Sequence, residues 1–483
     1  MPEDRPKINN SRVENSIILG SKTQQFTGWK LNNSRVENST ILGFRLLFDA
    51  GNGTLNCVKT RYKPRICDEL LKDELAGSGA VLIEGAKWCG KTTTAEQAAA
   101  SAIYIDEEGK LEENIVLSRT KPDRILSGNF PRLIDEWQLA PSLWDAIRYR
   151  VDHEDEPGRY ILTGSSVPAE TEEIHHSGAG RFSWLKMRPM SLWESEESSG
   201  EASLGTLFSG GDITGAKATK FDREEIAFLL CRGGWPYACR FEGKVALKRA
   251  FAYLDATVKR DISRVDGVER DEDRARRLMR SYARLQATPA AATAIKADLE
   301  ANEAKPFSID TVASYVNALK RLFVIEDMPA WCPNLRSKTP VRTGDTRYFV
   351  DPSIATASLG LGPEDLMNDL CTYGLLFETM AVRDLRVYMD ALSGSVSHYL
   401  DASGLECDAV LHRRNGAYAL VEIKLGGKEL IEKGVASLTR LAAKIDTGKA
   451  KKPSFMMVLT ATGEYAYRRE DGIVVCPIGC LKP

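Results

Sequence analysis

Residues 85–92 read GAKWCGKT and match the pattern G-x-x-x-x-G-K-[ST] in full, which commits this stretch to a strand, a glycine loop and a helix in succession. Both flanks agree. Ala80 to Glu84 (AVLIE) is a short apolar, β-branched run suited to a buried parallel strand, and Thr93 to Ala102 is Ala-rich and helix-prone. In such a unit, successive backbone N–H groups and the helix N-terminus hold a polyphosphate. Gly85, Ala86, Lys87, Trp88, Cys89, Gly90, Lys91 and Thr92 are therefore the candidate nucleotide-binding residues. Lys91 would reach the β- and γ-phosphates and Thr92 would offer its hydroxyl to Mg²⁺, so ATP and Mg²⁺ are the expected ligands.

The rest of a hydrolytic site should lie at the ends of later strands. Phe130 to Ile134 runs into Asp135-Glu136 about 45 residues after the glycine loop. Asp135 is the expected outer ligand of Mg²⁺, and Glu136 the group that polarises the attacking water. Tyr160 to Ser166 (YILTGSS) reads as a further strand, and Ser165 either bonds the γ-phosphate or water or simply ends that strand. Arg181, past it in a Gly-rich turn, suits an arginine finger reaching a neighbouring subunit, with Arg188 as a rival and an ordinary surface arginine as the plain alternative. A finger in trans implies a homo-oligomer.

The segments YKPRI (62–66), GAKWCGKT, LIDEW, ILTGSS and AGRFSWLKMRPMSLWE, with RGGWP (232–236) and KRDI (259–262), together resemble the prokaryotic AAA-type ATPases in which an ATPase domain precedes a C-terminal domain of unknown function. The resemblance spans about residues 58 to 483. It implies an α/β fold: a P-loop AAA-type ATPase domain, then a C-terminal α/β domain similar to restriction endonucleases.

The C-terminal third carries its own signal. Leu405 to His412 and Ala417 to Lys424 read as two strands around Arg414-Asn415-Gly416, and the spacing D-x13-E-x-K is similar to that of PD-(D/E)xK nucleases. There, two carboxylates bind Mg²⁺ and a lysine two residues on helps to activate water. Asp408, Glu422 and Lys424 are the candidate catalytic set, and Glu378, on an apolar helix, is the expected third acidic ligand. Glu422 and Lys424 share a strand face. Asp408 joins them only if the hairpin has a three-residue loop, because a two-residue Asn-Gly loop sets Asp408 opposite Ile423. Exposed charges on an ordinary hairpin are the plain alternative.

Between these parts, helical periodicity covers 224–240, 245–265 and 273–287, as expected of a lid on the ATPase core. Residues 291–302 and 307–322 look like a winged helix-turn-helix, from which Thr311, Ser314, Asn317, Lys320 and Arg321 would face DNA. The expected division is 1–57, a flexible duplicated extension; 58–200, ATPase; 201–285, linker and helical lid; 286–350, winged-helix-like; and 351–483, nuclease-like, with the Gly/Ser-rich stretch 195–220 as the linker after the ATPase core. In the extension, NNSRVENSIILG (9–20) recurs at 32–43 with one change in twelve positions. Two copies are too few for a solenoid, so a tandem duplication or mis-called start is expected.

A net charge of −2 excludes a strongly basic, unspecific nucleic-acid binder, leaving local patches such as 274–277 and 449–452. The ten cysteines include no C-x-x-C pair, and neither His175-His176 nor His412 has metal spacing. No apolar run approaches a membrane span, so a cytoplasmic chain without membrane partners is expected. Two functions remain open: a Mg²⁺-dependent ATPase governing a nuclease that acts on DNA, or an ATP-driven switch or scaffold whose C-terminal domain binds a protein or nucleic acid without cutting.

Overall fold

The computed structural model describes residues 62–154, 156–166, 178–302, 307–332, 344–445 and 451–483, with strand segments between Ser16 and Lys59. Two units form, Met1–Tyr62 and Lys63–Pro483. In the first, Ser16–Leu19 pairs with Lys22–Gln25, and Thr40–Ile41, Phe44–Asp49 and Thr54–Lys59 make a second antiparallel sheet. The repeat reading foresaw no strands here. Ile17, Ile18 and Ile41 supply the β-branched residues that favour them.

The second unit begins with α1 (Ile66–Gly77), then β1 (Ala80–Glu84), the glycine loop and α2 (Lys91–Ala98). The strands β2 (Ser101–Tyr104), β3 (Arg132–Asp135), β4 (Tyr160–Gly164) and β5 (Phe182–Lys186) complete an all-parallel sheet ordered β5-β1-β4-β3-β2. Val81, Ile83, Leu133 and Ile161 fill one face and Leu82, Ile134 and Leu162 the other, which is why these strands read as continuous apolar runs. Strand β4 is inserted between β1 and β3. Glu84 pairs with Gly164, and Asp135 with Thr163, so the glycine loop, Glu136 and Ser165 all leave the sheet at one carboxyl edge. Ligands of open α/β sheets sit at that edge.

The middle region is helical: α3 (Arg223–Arg232), α4 (Gly243–Ala256), α5 (Glu272–Arg284), α6 (Ala292–Asn302) and α7 (Ile309–Arg321). Helix α3 stops eight residues short of the expected end. Gly233 takes φ +74°, and a side chain there would meet Asp351 Oδ1 at 2.3 Å. After α7, the bridges Ile325–Phe349 and Met328–Thr346 form a narrow antiparallel arm; residues 303–306 of the expected helix-turn-helix lie outside the described residues. Helix α8 (Pro352–Leu359), read from the sequence as the start of the last domain, packs instead on α3, α4 and α5.

Helix α9 (Leu370–Ala391) leads into β6 (Gly394–Leu400), β7 (Glu406–Arg413), β8 (Tyr418–Lys424), α10 (Lys428–Lys444), β9 (Met456–Thr460), β10 (Tyr467–Arg468) and β11 (Val474–Pro477). Strands β6, β7 and β8 are antiparallel, β8, β9 and β11 parallel, in the order β6-β7-β8-β9-β11-β10. Helix α9 packs on one face and α10 on the other.

The expected linker is not free chain. Ala202–Ser203 pairs with Leu481–Lys482, the Ser198 and Ser203 hydroxyls donate to the carbonyls of Leu481 and Pro483, and Ser199 and Thr219 N–H both bond Gly479 O. Small residues let this strand lie flat on the last domain. Buried ion pairs join all three parts. Arg188, just after β5, holds Glu326 (2.7 Å) beyond α7 and Asp390 (2.5 Å) on α9. Arg383 on α9 bridges Asp351 and Asp384 (both 2.8 Å), and Asp384 also accepts the Leu192 N–H.

Candidate active site

The glycine loop folds over α2, where Gly90 takes φ +104°. Gly85 has no room for a side chain, since a Cβ there would fall 2.0 Å from Met187 O. Lys91 is buried and its ammonium donates to the loop's own carbonyls, Gly85 O (2.9 Å) and Ala86 O (3.0 Å). Lys87 pairs with Asp261 (2.5 Å) on the π-helical turn Thr257–Asp261, and exposed Trp88 lies edge-on to Tyr253. The loop is thereby held to the helical region at two adjacent residues.

Opposite it, Asp135 Oδ1 accepts from the Thr92 hydroxyl (2.8 Å) and from Thr163. Burial pushes the Asp135 pKa up, against the two hydroxyl bonds that favour the carboxylate. Glu136 Oε2 accepts from Ser165 (3.1 Å) and from Gln138. Glu136 itself has φ +55° and Trp88 φ +65°, backbone costs that non-glycine residues bear where the surroundings impose them, often at functional sites. The structure thus brings Lys91, Thr92, Asp135, Glu136 and Ser165 to one edge. Sequence reasoning missed Thr163 and Gln138. Both are polar residues at a strand end and in a turn, positions where their signal is slight.

The two arginines divide. Phe182 pairs with Ala80, so Arg181 lies at the amino edge of the sheet, roughly 16 Å from Gly85 along β1 at about 3.3 Å per residue. Its side chain pairs with Asp152 (2.5 Å) and does not enter its own site. Arg188 is a buried tether rather than a free guanidinium.

The helix expected to face DNA is largely engaged within the chain. Lys320 pairs with Asp327 (2.6 Å), Ser314 accepts from Arg270 (3.1 Å), and Thr311 bonds the capping Ser308. Arg321 also has a partner. Lys320 lines a crevice of about 270 Å³ with Gly85, Ala86, Arg188 and Glu326, so the end of α7 turns toward the glycine loop. Only Asn317 of the five is exposed without an internal polar contact among the described residues. Residues 175–176, 449 and 450 lie outside the described residues.

In the last domain, Arg413 N–H bonds Ala417 O (2.8 Å), Gly416 N–H bonds Arg413 O (2.9 Å) and Gly416 has φ +80°. The loop is the three-residue one, and the ladder runs from His412–Tyr418 to Ala409–Val421; beyond it β7 is irregular at Asp408, whose Oδ2 accepts from the Ile423 N–H (2.7 Å). Lys424 Nζ lies between two carboxylates, 2.8 Å from Asp408 and 2.7 Å from Glu422. Glu422 is on the α10 face, where a side chain at Gly434 would meet its Cβ at 3.3 Å. Glu378, on α9, accepts from Tyr348, and burial and then Asp408 push its pKa well up, with Lys424 opposing. Among the described residues, no three His, Cys, Asp or Glu side chains are grouped to hold a metal, so the expected acidic trio is not grouped as a metal site.

Burial, then Asp408, pushes the Glu422 pKa up to about 8, with Lys424 opposing. Folded chain therefore keeps a proton that unfolded chain releases near pH 4.3. The stability from that proton is complete below pH 4.3 and is lost as pH rises through about 8. Lys424→Met removes the opposing cation, and thermal melts from pH 5 to 9 should then fall more steeply than those of the wild type.

Comparison with known proteins matches residues 77–196 to the family model "AAA domain", 223–365 to a domain of unknown function (DUF8612) and 373–481 to another (DUF4143). The chain carries an AAA-type ATPase domain. Solved structures similar to it include the Walker-type ATPase of Pyrococcus abyssi, at 15% identity and TM-score 0.37, covering 62% of this chain and 96% of that one. The Orc1 protein of Aeropyrum pernix, solved in complex with DNA, matches at 15% identity and TM-score 0.21, covering 60% and 91%. No curated protein matches the chain. No helix among the described residues is long and apolar enough to cross a membrane.

Proposed function

We propose that this chain is a Mg²⁺-dependent ATP hydrolase that works as a switch, its last domain binding a partner. The single observation behind it is the convergence of Thr92, Asp135, Glu136 and Ser165 at the edge where the glycine loop opens. The Thr92 hydroxyl, 2.8 Å from Asp135, suits a Mg²⁺ held by Thr92 with Asp135 behind it. Bound there, the ion would neutralise charge on the phosphates. Lys91, released from the loop carbonyls, pairs with the terminal phosphates. Glu136 accepts from the attacking water and aligns it, while Ser165 and Gln138 keep the carboxylate turned to that position.

In the last domain the residues as arranged do not suit a metal, because the Lys424 ammonium occupies the space between Asp408 and Glu422. A partner-binding role follows. One observation favours the nuclease reading instead: Asp408 and Glu422 meet around Lys424, and buried Glu422 Oε1 has no hydrogen-bond partner among the described residues. A restriction-endonuclease-like fold and action on DNA belong to that second reading, whereas an Arg181 finger in trans would serve ATP hydrolysis in either.

Steady-state ATP turnover with Mg²⁺, with and without duplex or single-stranded DNA, tests the pair. Turnover unchanged by DNA, with no cleavage of labelled DNA, is the expected result. DNA-stimulated turnover together with cleavage lost in Asp408→Ala would replace the switch by the nuclease.

A further inference from the structure

Resting on the ATPase reading, we propose that Arg65 is a positioning residue of the glycine loop: it turns the Cys89–Gly90 peptide so that the Gly90 N–H faces the phosphate. Arg65 stands at the start of α1, more than twenty residues before Gly90, and is buried. Its Nη1 donates to Cys89 O at 2.8 Å. A trans peptide is planar, so its N–H points opposite to its C=O. With the Cys89 carbonyl drawn inward to Arg65, the Gly90 N–H must point away from the interior, to the side that the loop offers to ligand. The left-handed φ of Gly90 permits this turn, and Arg65 Nη1 is already at van der Waals range of where a Gly90 side chain would begin (3.4 Å).

The guanidinium cannot swing. Nε donates to Glu194 Oε1 (3.0 Å) and Nη2 to Arg188 O (2.8 Å), while Glu194 also accepts the N–H groups of Ile66 (3.0 Å) and Ser191 (2.9 Å). One planar fork thus reads three acceptors in fixed directions, which a lysine ammonium on a flexible stem does not reproduce. The anchor residues lie in the segment after β5, so Arg65 ties the loop to the same stretch that carries Arg188.

The test is nucleotide affinity, measured with a fluorescent ATP analogue, in wild type, Lys91→Ala, Arg65→Lys and the double variant Arg65→Met/Glu194→Gln. Arg65→Lys keeps a cation beside Glu194, and the double variant removes both charges, so both guard against loss of folding, which ligand-free melts monitor. Both should bind ATP about tenfold more weakly or worse, as for a lost charge-assisted bond, with kcat within about threefold because Glu136 and Ser165 are untouched. Inorganic triphosphate should lose affinity by the same factor. Wild-type affinity in either folded variant overturns the proposal. Absence of binding by the wild type overturns the ATPase reading, and the proposal with it.

Discussion

Glu136→Gln lowers ATP turnover by a factor of about 10² to 10³ while leaving ATP binding intact, since a positioned base contributes on that order. The glutamine keeps the shape and can still meet Ser165 and Gln138 but cannot take up the proton of the attacking water. Single-turnover hydrolysis beside equilibrium binding separates the two effects. Lys91→Ala should instead abolish binding, because Lys91 is the ammonium at the glycine loop's own carbonyls. Equal kcat in Glu136→Gln and wild type would move the water-activating role elsewhere.

Arg383→Met is the largest expected stability effect. Arg383 lies between Asp351 and Asp384, each with 0% exposure, and its loss strands two carboxylates in the interior. Removing one partner of a buried ion pair costs about 3–5 kcal/mol. Asp351 also holds the Gly234 N–H and Asp384 the Leu192 N–H, so the joint between ATPase core and last domain loosens with it. The loss should shrink in mild acid. Burial pushes the Asp384 pKa up to about 6 even beside Arg383, and without that cation it rises further. The carboxyl is then neutral in the folded variant at pH 5 to 6, relieving the buried charge, so the melting temperature of the variant approaches that of wild type there and falls away as pH rises toward 8. A pH-independent deficit would mean that lost packing, not charge, carries the effect.

Much of the ATPase site is legible in the chain because its determinants are local. GAKWCGKT specifies its own loop, and the apolar runs ending in Asp135-Glu136 and Thr163-Gly164-Ser165 announce strands whose carboxyl ends carry chemistry. The hairpin register was equally readable as two alternatives, which the left-handed Gly416 separates. The Gly/Ser-rich stretch 195–220 was misleading, since small polar residues suit both a free linker and a strand laid against Leu481–Lys482.

What the sequence determined by itself, then, is the strand–loop–helix unit and the short-range spacing of Thr92, Asp135 and Glu136, since backbone conformation and a two-residue pleat follow from neighbouring residues. Only the tertiary structure decided which charges meet. Arg188 finds Glu326 and Asp390, Arg65 finds Cys89 and Glu194, and Lys424 fills the space between Asp408 and Glu422. These partners are up to about two hundred residues apart, and burial strengthens such contacts by excluding water, which no local pattern of residues encodes.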